Sequence, residues 1–342
     1  MSPRLRRASS SLERALCIAV GIWTAWWAVG EPARAEWSAI AAQRISYTSD
    51  AFQFSSARRL ALSEDPSLPT VVSLGNPEDV IWEPSIEVLR SGTTGLGLNE
   101  LSVKAHGFIY TDKSIFNHGD FRIQDRQWFG STTSLLLRYR YVPNLFLGPN
   151  FERRTGTRSV QEERVTSHTW RAEFERHVNE RMTAALVSRY GLRLYNEAFA
   201  ERDTNFYSVG PRLTYRAASW IAFTVGYLYE RGLADGRQEP QFMDDVSYYL
   251  HFVSFETELR LTSKLALNLA YVHVQKNFTS GVPGDTHLGR EDLTHQGRAE
   301  LRYRLSESAA AMLAYQRTQR SSNNALRDFH DNIVSIGAEY RF

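Results

Sequence analysis

Two close pairings of a hydroxyl with an imidazole are the first residues that invite a chemical reading. His251 and Ser254 stand three apart in Tyr249-Leu250-His251-Phe252-Val253-Ser254, and Ser167 adjoins His168. A serine nucleophile needs a base within hydrogen-bond reach. In an extended chain both spacings put the two side chains on opposite faces, so no catalytic residue is expected and a lipid-modifying enzyme is the weakest reading. Asp244 and Asp245, with Asp285, Glu291 and Asp292, are carboxylates that could meet a calcium ion. They lack the alternating spacing of a calcium loop and read as solvated. His273, His287, His295 and His330 fall near strand ends or in loops and read the same way. Neither a metal nor a cofactor is expected.

Charge at alternate positions is the stronger signal. In Arg298-Ala299-Glu300-Leu301-Arg302-Tyr303-Arg304-Leu305 every even residue is charged and every odd one apolar. That is the period of a strand with one wet face and one apolar face. Ile221, Phe223, Val225, Tyr227 and Tyr229 alternate with small or polar residues in the same way, as do Leu135, Leu137, Tyr139 and Tyr141, and Phe255, Thr257, Leu259 and Leu261. The polar face then carries Arg138, Arg140, Arg171, Arg189, Arg193 and Arg212, and further along Arg216, Arg260, Arg298, Arg302, Arg304 and Arg341. Opposing them are Glu87, Glu173, Glu175, Glu256, Glu258, Glu300 and Glu339. If this face lines a water-filled lumen, its arginine excess favours anionic or hydroxyl-rich solutes; if the charges pair off, they stiffen the wall of a narrow barrel instead.

The elements that must position these residues read as strands of 10–16 residues, the length that crosses a bilayer at a tilt. Counting from the C-terminus places them near 332–342, 309–320, 291–305, 265–278, 246–261, 220–232, 205–217, 181–196, 163–177, 145–153, 129–142 and 98–112. Segments near 80–90 and 45–55, joined by a loop containing Pro66, Pro69 and Pro77, raise twelve strands to fourteen, the favoured number. The connections alternate: tight turns near Pro143-Asn144, Asn179-Glu180, Ala218-Ser219, Thr262–Lys264 and Ser306–Ser308, and longer loops near 113–127, 154–162, 197–204, 233–245, 280–290 and 321–331. This is an all-β, antiparallel transmembrane barrel with short periplasmic turns and long external loops. Pro211 in mid-strand predicts a bulge or local break, and Pro84 and Pro149 raise the same question.

The first 35 residues read as a cleavable export signal: Arg4, Arg6, Arg7 and Arg14, an apolar run from Ala15 to Gly30, then Ala33-Arg34-Ala35 with cleavage after Ala35. They hold five of the 40 Lys+Arg, two of the 38 Asp+Glu and the one cysteine, Cys17; the remainder, 36–342, has 35 basic residues against 36 acidic. A near-neutral, cysteine-free chain gives no electrostatic case for nucleic-acid binding and no disulfide framework.

The segment Asn332–Phe342 puts Val334, Ile336, Ala338, Tyr340 and Phe342 on one face and Ser335, Gly337, Glu339 and Arg341 on the other. A terminal Phe after alternate apolar residues resembles the signal that the barrel-assembly machinery reads, with Tyr340 and Phe342 as its core. In pattern the whole chain from 36 onward resembles Gram-negative outer-membrane β-barrels of the porin type. That resemblance implies residence in the outer membrane among lipid and lipopolysaccharide. It also implies transport; with the polar inner face and no catalytic pair, the expectation is a pore for polar solutes, extending to oligosaccharide or exopolysaccharide export, with secretion or assembly of a surface partner as the alternative. Tyr227, Tyr229, Tyr271, Tyr303, Tyr315 and Tyr340 read as interfacial girdle residues on the lipid face.

Overall fold

Alternation over so many long segments admits one economical solution, because a sheet with an apolar outer face can satisfy its edges in lipid only by closing on itself. The computed structural model, which describes residues 35–52, 76–157, 159–324 and 327–342, closes in this way. Its strands are β1 Glu36–Thr48, β2 Asp79–Thr94, β3 Gly97–Tyr110, β4 His118–Phe129, β5 Thr133–Phe151, β6 Val160–His177 and β7 Met182–Tyr195. They continue as β8 Thr204–Ala218, β9 Ile221–Ala234, β10 Tyr248–Arg260, β11 Leu265–Phe278, β12 Glu291–Arg304, β13 Ala309–Ser322 and β14 Phe329–Arg341. Each pairs antiparallel with its sequence neighbours, and β14 closes the ring on β1, Tyr340 opposite Ala41. The export signal and the segment with Pro66 and Pro69 lie outside the described residues.

Fourteen strands are present among the described residues, but two pieces of the expected map differ. The turn expected at Pro143-Asn144 is an irregularity inside β5: the pairing with β6 shifts between Val142 and Leu145 and again between Phe146 and Gly148, and Asn144 takes a φ of 45°. Asparagine tolerates that left-handed conformation, and the extra residues bulge out while the strand runs on. The loop expected at 113–127 shrinks correspondingly, because β4 occupies its second half and the reversal comes at 130–132. The two differences cancel in the count. They reverse the direction of residues 133–142, which run away from the periplasmic end.

At Pro211 the expected interruption takes the form of a local break and not of a bulge. β8 keeps register with β7 through Leu186 opposite Pro211, while pairing with β9 lapses between Val209 and Arg212 and resumes unshifted. Pro84 repeats the arrangement, paired with Gln43 on β1 and bridged over on the β3 side. A proline lacks one donor, so it interrupts one ladder only. Pro149 stays paired with Glu162 in the shifted part of β5. The lapse beside Pro211 also brings backbones close, since a Cβ on Gly210 would lie 1.9 Å from the Tyr227 carbonyl oxygen. Gly210→Ala will therefore lower refolded stability by about 1–3 kcal/mol, read from the denaturant midpoint, while Gly281→Ala, with nothing within 4 Å, leaves it unchanged.

The outer face is apolar, with Trp37, Ile86, Leu186, Leu213, Val225, Leu313, Ile336 and Phe342 among its exposed residues. No water-facing surface carries a belt of that extent. All six tyrosines expected in the girdle point outward. Towards the external end, five outward tyrosines each bond a side chain two residues further out on the next strand. The pairs are Tyr139–His168 at 2.8 Å, Tyr190–Asn205 at 3.2 Å, Tyr227–His251 at 2.8 Å, Tyr271–His295 at 2.7 Å and Tyr315–Asn332 at 2.8 Å. Tyrosine with its hydroxyl satisfied suits the border between lipid and water. On β12 the apolar band from Tyr303 to His295 spans eight residues, about 27 Å along the strand and, at a tilt of ~40°, about 20 Å across the membrane.

Candidate functional site

Inward side chains change character along the barrel axis. At the periplasmic rim Arg216, Arg260, Arg304 and Arg341 are exposed, and Glu258 with them; Arg260, 60% exposed, pairs with Glu258 at 3.1 Å. These five lie at the mouth and not on the inner wall. Further in, Arg302 pairs with Glu339 at 2.6 Å, and Glu300 takes both Arg298 and, from β1, Arg44 at 3.0 Å. Lys104 and Glu87 stand 3.6 Å apart. Water reaches these groups, which is what a wet lumen requires.

The wall from β4 to β8 holds the densest charge. Six guanidiniums, of Arg122, Arg126, Arg138, Arg140, Arg171 and Arg212, stand against three carboxylates, of Asp120, Glu173 and Glu175. Arg140 binds Asp120 through Nε and Nη2, the latter at 2.7 Å. Glu173 takes Arg171 at 2.6 Å and also Arg212, while Glu175 takes Arg212 and Arg126, each at 3.3 Å. Arg138 donates Nε to the neutral Gln124 at 2.7 Å. The Nε of Arg122 is buried with no acceptor among the described residues, and its charged neighbours are Asp120, Arg140, Glu87 and Arg171. Glu256 on β10 faces Arg212 and Arg171. A surplus of buried guanidinium in water-lined low dielectric makes a field attractive to anions.

Arg189 and Arg193, also expected on the inner wall, stand higher and are dry. Arg189 is 2% exposed, bonds Ser208 at 2.7 Å and lies 3.5 Å from Glu230. Arg193 donates to the Tyr248 hydroxyl at 2.6 Å, which donates to Glu230 at 2.6 Å. Around them Val187, Leu228, Leu250, Phe252, Val272 and Val274 form an apolar inward patch. A second cluster, Phe52, Ile81, Phe108, Tyr110, Phe116, Phe146 and Ile333, fills the β14–β3 side near the external end. Alternation reads the inner face as polar throughout, and these two patches escaped it.

Above this level the loops turn inward and lock together. Arg202, in the turn between β7 and β8, donates to Glu163 of β6 and to Asp244 of the β9–β10 loop, each at 2.7 Å. Arg154 of the β5–β6 loop reaches Glu201 and Glu239 at 3.4 Å and stacks over Phe242. The Asp245 amide donates to Asp285 at 2.9 Å, tying the β9–β10 loop to the β11–β12 loop. Asp244, Asp245, Asp285 and His287 are all buried, against the solvated positions expected of them; Asp244 and Asp285 each accept from a neighbouring loop, which a linear reading cannot see, and Asp245 accepts from the Ser247 amide of its own loop. Burial pushes the Asp285 carboxyl up, but hydrogen bonds from His287 and Ser280 outweigh it and hold it at about 2. Burial lowers the His287 imidazole against the pull of Asp285 and Asp244. Asp292 is buried too, paired with Arg290 at 2.6 Å, and Glu291 accepts from Gln275.

The hydroxyl–imidazole pairs stay apart. Ser254 and Ser167 point inward and are buried, while His251 and His168 point outward into hydrogen bonds with Tyr227 and Tyr139.

No protein-family model matches the chain, and no curated sequence matches it. Among solved structures, the outer membrane channel DcaP of Acinetobacter baumannii aligns over 92% of this chain and 100% of that one at 10% identity, with a TM-score of 0.52. A bacterial polysaccharide outer membrane secretin aligns over 88% and 98% at 10% identity and a TM-score of 0.45, and the NanC porin over 88% and 98% at 10% identity and 0.43. At such identities the likeness speaks to the fold.

Proposed function

We propose that the chain is a passive pore of the bacterial outer membrane that admits polar solutes and favours anionic ones, up to acidic oligosaccharides. The observation that carries this reading is the wet inner wall between β4 and β8, with six guanidiniums against three carboxylates on the same strands and Glu87 and Glu256 facing them from β2 and β10. A wall built only for rigidity would pair its charges, and the unmatched Nε of Arg122 does not fit that account. The apolar belt, the tyrosine border and the closed sheet support a transmembrane seat. Tyr340 and Phe342, edge-on at 4.8 Å on the lipid face of the closing strand, suit recognition by the assembly machinery. Ser254 and Ser167 stand on the opposite face from His251 and His168, so neither serine has that imidazole as a base. The test is the zero-current potential of the refolded protein in a salt gradient. It will take the sign of chloride preference, and a potassium preference at low ionic strength refutes the anionic reading.

A further inference from the structure

The β9–β10 and β11–β12 loops meet at a corner that holds more acid than its partners neutralise. Glu163, Glu201, Asp244, Asp245 and Asp285 are buried there, and the ion pairs described around them come from Arg202, Arg154 and His287. Within the corner, His287 Nδ1 lies 2.9 Å from Asp285 Oδ1 and 3.7 Å from Asp244 Oδ1, and one ligand atom from each of the three residues falls within 4.8 Å of the others. Two ligands about 2.0–2.1 Å from a tetrahedral ion are about 3.3 Å apart, so the two separations from His287 Nδ1 bracket what such an ion demands, the shorter being a hydrogen bond that the ion would replace. Glu201 supplies a separate observation. It is fully buried, its Oε1 meets no donor among the described residues, and its carboxylate repels that of Asp244. The two residues are brought together by Gly236, whose Cβ, if present, would sit 2.6 Å from the Asp244 carbonyl oxygen and 3.0 Å from that of Glu201.

We infer that Asp244, Asp285 and His287, with Glu201 beside them, form a site for one divalent transition-metal ion of the zinc class, which clasps the two loops over the external mouth. A mixed nitrogen and carboxylate donor set suits zinc better than calcium, which takes six to eight oxygens. Arg202 occupies Asp244 Oδ2 at 2.7 Å and Oδ1 at 3.2 Å, leaving a lone pair on Oδ1 towards the imidazole. On binding, the imidazole proton moves to Nε2 and Nδ1 becomes the ligand, with no redox change. The ion would offset the surplus negative charge that burial makes costly.

The test is calorimetric titration of chelator-treated, refolded wild type with zinc chloride, and with calcium chloride in parallel. One equivalent of zinc should bind, weakened about 100-fold or more in His287→Ala and in Asp285→Asn. Hydrogen exchange in 235–247 and 279–290 should slow on zinc addition in wild type only. The outward pair His273–His295, with Nδ1 atoms 3.5 Å apart, is the rival trap, so His273→Ala/His295→Ala must keep the full equivalent. Zero equivalents in wild type, loss of binding in the outward double variant, retention in both corner variants, or calcium displacing zinc each overturns the site. If a corner variant fails to fold, the wild-type stoichiometry and the outward variant still decide. The readout needs no current, so its failure leaves the pore reading intact, and a silent barrel that binds zinc leaves the site intact.

Discussion

Replacing Arg122 and Arg138 together by glutamate will reverse the sign of the zero-current potential. The six guanidiniums and three carboxylates of the β4–β8 wall become four against five, so the local field changes sign. Arg122 sits beside Arg140 and Arg171, and Arg138 beside Arg171, Arg140 and Arg212, so the new carboxylates find partners and the fold tolerates them. In a tenfold salt gradient a perfectly selective pore gives about 59 mV. The swing between wild type and variant should be a large fraction of twice that value at low ionic strength, shrinking towards 1 M salt as screening shortens to about 3 Å. The same exchange at the rim, Arg260→Glu, alters a group 60% exposed and should move the potential little.

Breaking the loop lock should have the second large effect. Arg202→Met removes the side chain that bridges Glu163 and Asp244, and leaves both carboxylates buried. Removing one member of a buried pair costs about 3–5 kcal/mol, which is two or more powers of ten in an opening equilibrium. Local opening, not global unfolding, should absorb it, because Arg202 and Asp244 belong to loops and the strand ladders beneath do not depend on them. Hydrogen exchange in 196–203 and 235–247 should quicken by about that factor while β9 and β10 stay protected. Conductance should rise, since the inward loops are the obstruction. Unchanged exchange in Arg202→Met would mean that the pairs do not hold the loops down.

The barrel was legible because its signal is repeated: Arg298–Leu305 and Ile221–Glu230 state the inside and outside without help from neighbours. Where the signal is locally broken, the reading slipped. In β4, Phe121, Ile123, Arg122, Gln124 and Arg126 alternate correctly, but Asp125 falls on the lipid face and made the segment look like loop; it accepts from Asn99 of β3 at 2.8 Å, a partner 26 residues away. Arg122 and Arg126 were lost with it. Pro143-Asn144 has turn chemistry, and only the pairing with β6 decides that it bulges instead. Arg202, Glu163, Glu201 and Glu230 went unseen because their meaning lies in contacts between loops and distant strands. His287 shows the limit most clearly: in sequence it is a polar loop residue between Thr286 and Leu288, and its burial comes from Asp244, Asp285 and Phe278 together.

The lumen is water-filled, and inward loops narrow its external side. Stepwise current through a planar bilayer measures it directly, comparing the refolded wild type with a form in which residues 236–245 and 281–288 are replaced by short glycine-serine turns. Both proteins should give discrete ohmic steps, larger in the shortened one and carried mainly by chloride. Absence of current at every voltage from the shortened form, in a preparation whose strands are intact, would contradict it.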